Sequence, residues 1–220
     1  METFEEARDR ILAELTSDDK DVRAEYLKHF KSDVEMFSES MARAFLNWRS
    51  LDSSIQENEK RAYISGLVYT AITLHVLSMK LFVSGNTVAA GNLFRQVVET
   101  VALALVCSGK DLGILDRFME DKYSTNDAVR DAMRHAEKLG LNKDGVKGLS
   151  EVQGFYNKYS HPTHLTIAMG MSFSTRDLYF GGAFDEKKLD AYRKEISVRV
   201  GLANDFPNFI DGVKANVAKW

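Results

Sequence analysis

Cysteine and proline are nearly absent from this sequence. A single cysteine, Cys107, rules out an intrachain disulfide and a cysteine-based metal cage. It sits in an apolar stretch without an evident base, which makes it a poor nucleophile. Two prolines in 220 residues leave long segments free of breakers, which argues for helices over a meandering all-β chain. Charge of one sign is lacking too. A net charge of −3 and a pI near 6.0 give no global basic footprint for nucleic acid or an anionic membrane, and leave only a local basic patch open. The N-terminal METFEEARDR is acidic rather than basic-then-apolar, so no secretory signal is expected there and the expected location is the cytoplasm. The two most apolar segments, 62–84 and 87–108, are interrupted by His75, Lys80, Arg95, Gln96 and Glu99, which argues against a membrane hairpin. Repeats, low-complexity tracts and linkers are also missing. A single domain over 1–220 is expected, with N-terminal helices in 1–50 packing on a core of 55–220.

What is present is helical periodicity. Phe4, Ala7, Ile11 and Leu15 make one face of a short helix over 3–15, and Tyr26, Phe30, Val34, Phe37, Met41, Phe45 and Trp48 make the face of a long one over 20–49. Ser54 with Glu57 forms a capping box for a helix that runs to Gly85. A short Gly85-Asn86 link then folds a central helix, 86–109, back against it, with Asn86 as its cap and Gly109 as its left-handed stop. Shorter helices are expected over 111–120, 126–139 (capped by Ser124 with Asp127) and 149–159, with 140–148 as a turn-rich loop. Alternation of Ile167, Met169, Met171 and Phe173 with small residues, followed by Leu178 to Phe180 and Gly181-Gly182, reads as a β-hairpin near 165–182. The last helix carries Leu189, Tyr192, Ile196 and Val200 on its buried stripe, and Pro207 is expected to kink it or to start a new one. The expected fold is predominantly all-α, an up-and-down bundle built around 55–84 and 86–109 with that small hairpin.

Function is concentrated in two places. Arg95 and Glu99 stand at i and i+4 in the central helix, beside Asn92, so a charged pair lies in a core element. Arg precedes Glu, the weaker order for an intrahelical pair, which suggests further partners on another helix. The second place is Tyr156-Asn157-Lys158-Tyr159-Ser160-His161-Pro162-Thr163-His164, at a helix end where side chains can converge. Three readings compete. In the first, His161 or His164 is a general acid or base oriented by Glu99, Arg95 or Lys158 holds a phosphate, Ser160 belongs to the same catalytic group, and Tyr159, Asn157 and Asn92 line the substrate, which suits phosphodiester cleavage. In the second, His161, His164, Glu99 and His75 bind a divalent metal, although His-Pro-Thr-His is not an HExxH motif and its proline keeps both histidines off one helical face. In the third, Ser160 and the histidines hydrogen-bond to the ion pair as a structural latch. No cofactor is expected. His29 and His135 lack clustered partners and read as surface residues, while Met169 and Met171 read as core.

The run Leu-Phe-Arg-x-x-x-Glu ending at Glu99, then Tyr-x-x-x-Ser-x-x-x-His with its proline at 156–164, then an apolar segment ending in Gly-Gly, resembles a bacterial family of helical proteins described as abortive-infection-like or DUF5677-like, itself similar to the HEPN superfamily. The resemblance covers roughly 55–200. It implies a helical bundle, often a homodimer, linked to toxin–antitoxin or phage-defence systems, with an antitoxin protein as partner and RNA as the substrate of active members, which cleave it without metal. Active HEPN nucleases carry an Arg followed four to six residues later by His. This chain has Lys158 before His164, and Asn157 before His161. Lysine lacks the planar fork of arginine, and Arg95 could supply the guanidinium from the neighbouring helix.

Overall fold

The structure, a computed structural model, describes residues 2–55 and 58–220. Among the described residues it contains nine α-helices: α1 (Phe4–Leu15), α2 (Lys20–Asp52), α3 (Glu59–Val83), α4 (Thr87–Ser108), α5 (Ile114–Met119), α6 (Ala128–Arg134), α7 (Lys143–Tyr156), α8 (His164–Met169) and α9 (Leu189–Val217). The chain is a helical bundle in which α3 packs mainly on α4, and α2 on α9. Gly85, at φ 78°, makes the tight link that sends α4 back along α3. From Val101 to Ser108 every residue of α4 is buried, so its C-terminal half lies in the centre of the core.

Several boundaries differ from expectation for identifiable reasons. Thr3 and Glu6 close a capping box on α1, yet α1 buries none of its residues, and Phe4 and Leu15 are each 77% exposed. Helix α2 packs on α3 and α9, whereas α1 leaves its apolar side chains exposed. The capping box of Ser54 with Glu57 lies outside the described residues, and Asn58 caps α3 by accepting from the Arg61 amide. Asn86 stands at the N-cap of α4 but makes no side-chain capping bond: its amide donates to Asp19 and to the Ser84 carbonyl. Gly109 is extended rather than left-handed, at φ −82° and ψ 95°. Ser124 makes no capping bond, and α6 ends at Arg134. The stretch 140–148 is partly helical, because Asn142 accepts from the Asp144 amide and starts α7 at Lys143.

The expected β-hairpin is replaced. Thr163 and Thr166 form a capping box that starts α8, so Ile167 and Met169 lie on a helix. Beyond it one antiparallel bridge, Met171 to Leu178, is all that joins the two segments. A ladder cannot extend from there, because side chains take its backbone donors. Phe173 N–H donates to the Asp185 carboxylate at 2.7 Å, and the Ser174 and Thr175 N–H groups donate to Ser172 Oγ. Pro207 lies inside α9 without ending it.

Candidate functional site

Asn92, Arg95 and Glu99 share one face of α4, and α7 with the 3-10 turn that follows it lays Ser160 against that face. Arg95 Nε donates to Glu99 Oε1 at 2.9 Å, Nη1 to Ser160 Oγ at 2.7 Å and Nη2 to Asn126 Oδ1 at 3.2 Å. The Ser160 hydroxyl donates onward to Asn92 at 3.1 Å, and Gln153 Nε2 donates to Glu99 at 3.3 Å. The partners suggested by the Arg-before-Glu order are thus Ser160, Asn126 and Gln153, and the network ties α4 to the end of α7 and to the segment before α6. The side chains of Arg95 and Glu99 remain 21% and 13% exposed, so the pair lies at the edge of the core and not in its middle.

The other expected members point elsewhere. His161 and His164 are exposed and make no hydrogen bond or ion pair among the described residues, so neither is oriented by Glu99. Lys158 is exposed and lies over the Phe155 ring at 5.5 Å. Asn157 caps α7 through its backbone and accepts from the Ser160 amide. His75 is buried against α9, away from the His161 loop. Among the described residues no three of His, Cys, Asp and Glu stand close enough to share a metal ion, so the four proposed ligands are not brought together. Cys107 is buried, and burial pushes its thiol up to about 12, which leaves it protonated and unreactive. Asn92 and Tyr159 also line an open cleft of about 410 Å³ with Thr87, Met169 and Tyr179.

No family model, curated protein or solved structure matches this chain. What the site can do therefore follows from its own chemistry.

Tyr159 leads to a second polar cluster that sequence reasoning missed. Its hydroxyl donates to Glu195 Oε1 at 2.7 Å, and the Tyr156 hydroxyl donates to Oε2 at 2.7 Å. Arg199 Nη1 reaches the same carboxylate at 2.6 Å, and its Nε donates to Ser78 at 3.3 Å. The guanidinium is fully buried and lies over Phe82 at 4.9 Å and Phe94 at 5.0 Å. His75 Nε2 donates to the Arg199 carbonyl at 3.0 Å, while His75 Nδ1 and Arg199 Nη2 have no partner among the described residues. Burial raises both tyrosine hydroxyls well above their ordinary range and, with the Arg199 charge beside it, lowers His75 to about 3. A signal for this cluster exists: Glu195 and Arg199 fall at i and i+4 in the favoured order, within the stripe of Tyr192, Ile196 and Val200.

Gly91 admits Tyr159 to this position. A Cβ there would stand 2.5 to 2.7 Å from three atoms of the Tyr159 ring. Gly91→Ala gains helix propensity worth about 1 kcal/mol but forces the ring off Glu195. The expected net loss is about 1–2 kcal/mol in urea unfolding, and a variant as stable as wild type would show that the ring yields freely.

Proposed function

We propose that this chain is a non-catalytic, HEPN-like interaction module in which the Arg95, Glu99 and Ser160 network is a latch between α4 and α7. What supports this reading is that the donors of the network are taken up inside it: the three donating nitrogens of Arg95 all have acceptors, and Glu99 Oε1 accepts from Arg95 and Gln153 and not from a histidine. A general base needs hydrogen-bond reach and orientation, and His161 and His164 have no orienting partner. One observation favours a second reading, metal-independent RNA cleavage of the kind the resemblance implies. The open cleft beside Asn92 and Tyr159 lies next to the network, and both histidines on the adjoining loop face solvent.

The test is incubation of purified protein with a mixed RNA pool in chelator, comparing wild type with His164→Ala and Arg95→Ala. No cleavage is expected from any of them. Arg95→Ala is expected to lose about 1–2 kcal/mol of stability and His164→Ala essentially none, because only the first removes a partly buried, charge-assisted tie. Cleavage that survives the chelator and disappears in both variants would replace the latch with a nuclease site.

A further inference from the structure

The central helix begins with its first donors unused. Asn86 occupies the capping position, but its amide is drawn off to Asp19 at 3.3 Å and to the Ser84 carbonyl at 3.4 Å, so its side chain accepts nothing from the first turn. The first intrahelical bond runs from the Ala90 N–H to the Asn86 carbonyl at 2.9 Å, and the N–H groups of Thr87, Val88 and Ala89 have no acceptor among the described residues. Three such donors at the positive end of a 22-residue helix suit an anion. The Thr87 side chain points to a ligand independently. Thr87 is only 8% exposed, and its hydroxyl has no hydrogen-bond partner among the described residues, yet it is not sealed from solvent. Buried hydroxyls are normally paired. The opening that Thr87 lines is the cleft of about 410 Å³, whose wall also includes Val88 and Ala89.

The surrounding charges narrow the ligand. Lys188 is 5% exposed and makes no ion pair among the described residues; its Nζ donates to the Met169 carbonyl at 2.9 Å and lies over the Tyr179 ring at 5.2 Å. Met169 and Tyr179 both line the cleft, so a buried positive charge stands behind that wall. Two carboxylates oppose it: Asp19, which holds the Asn86 amide, and Glu14, packed against Gly181 where that residue lines the cleft. They disfavour a dianion and leave a single negative charge as the better match. The remaining wall, from Val88, Met169 and the rings of Tyr159 and Tyr179, is largely apolar. We propose that this cleft binds a small organic carboxylate, its oxygens on the Thr87, Val88 and Ala89 N–H groups and the Thr87 hydroxyl, its apolar body against Met169 and Tyr179. The site does not rest on the interaction-module reading, because none of its donors belongs to the Arg95 network.

Amide NMR of the full chain titrated with isocaproate tests it. The Thr87, Val88 and Ala89 resonances are expected to shift together and saturate at millimolar concentration. Isocaproamide, the same body without the charge, should bind at least about tenfold more weakly. Thr87→Val keeps the shape and loses the hydroxyl, and is expected to weaken isocaproate about tenfold, whereas Thr87→Ser holds it within about twofold. Asn86→Asp is the sharper variant. Its carboxylate is repelled by Asp19 and caps the helix itself, so isocaproate binding should vanish while thermal stability stays equal or rises, a combination that damage to the fold would not give. Failure of the three amides to saturate overturns the site, as does equal binding of the neutral amide or full binding by Asn86→Asp. Inorganic phosphate binding more tightly than isocaproate overturns the carboxylate class.

Discussion

Arg199→Ala is expected to lower the free energy of unfolding by about 3–5 kcal/mol, the range for removing one partner of a buried ion pair. The cost has two sources. The first is electrostatic: Glu195, itself buried, keeps the hydroxyls of Tyr156 and Tyr159 but loses the counter-charge of Arg199. The second is packing, because the guanidinium fills the space between the Phe82 and Phe94 rings and alanine leaves a void there. Glu195→Leu combined with Arg199→Met removes both charges and refills the volume, so it should recover part of the loss. Recovery stays incomplete because two tyrosine hydroxyls are then left without an acceptor, at about 1 kcal/mol or more each. Urea unfolding of the three proteins measures this. A loss below about 1 kcal/mol for Arg199→Ala would mean that Glu195 does not carry a buried charge.

His75 should make this fold acid-sensitive. In the folded chain it titrates at about 3, against 6.5 for the unperturbed side chain. Between those values the unfolded chain binds a proton that the folded chain refuses. The sign is therefore fixed: the stabilising contribution is complete above pH 6.5 and falls as pH drops toward 3. The slope approaches about 1.4 kcal/mol per pH unit, which amounts to about 3 kcal/mol by pH 4. His75→Phe abolishes the titration while keeping an aromatic ring among Phe37, Phe94 and Phe206. At neutral pH the variant should be less stable by about 1–2 kcal/mol, since the Arg199 carbonyl loses its donor. Its stability should then decline less steeply on acidification, so that the two curves converge and cross before pH 4. Parallel curves between pH 6 and 4 would show that His75 accepts its proton in the folded state. Exposed carboxylates contribute equally to both proteins and drop out of the comparison.

Much of the helical layout was legible because long apolar stripes at helical spacing have no competing explanation. The face of α2 is of this type, and the partnership of Arg95 with the helix end that carries Ser160 is legible from the order of the Arg95 and Glu99 pair. The hairpin was not legible, because alternation over four or five residues fits a short helix as well as a strand. What decided between them was the Thr163 and Thr166 capping box together with the claim of Asp185 on the Phe173 amide, a contact from twelve residues away. His161 and His164 stand out by composition, yet a histidine acts through its neighbours, and both are exposed without an orienting partner among the described residues. The Glu195 and Arg199 pair is legible in part: its place within the stripe of Tyr192, Ile196 and Val200 points it inward, while the two tyrosines that meet it, from the end of α7 and the turn after it, are not readable from spacing.

The uninterrupted course of α9 through Pro207 bears on how the chain acquires its order. A proline in a helix interior withholds one backbone donor and opposes the preceding turn, at about 3 kcal/mol or more. Residues on both sides of it, Ala203, Phe206, Ile210 and Val213, are buried against the rest of the bundle, and that burial offsets the local penalty. Helix α9 is thus a conformation imposed from outside, one that its own sequence disfavours at its middle. Its shape depends on the burial it finds against the rest of the bundle, and the Glu195 and Arg199 cluster, carried by the same helix, depends on that burial with it.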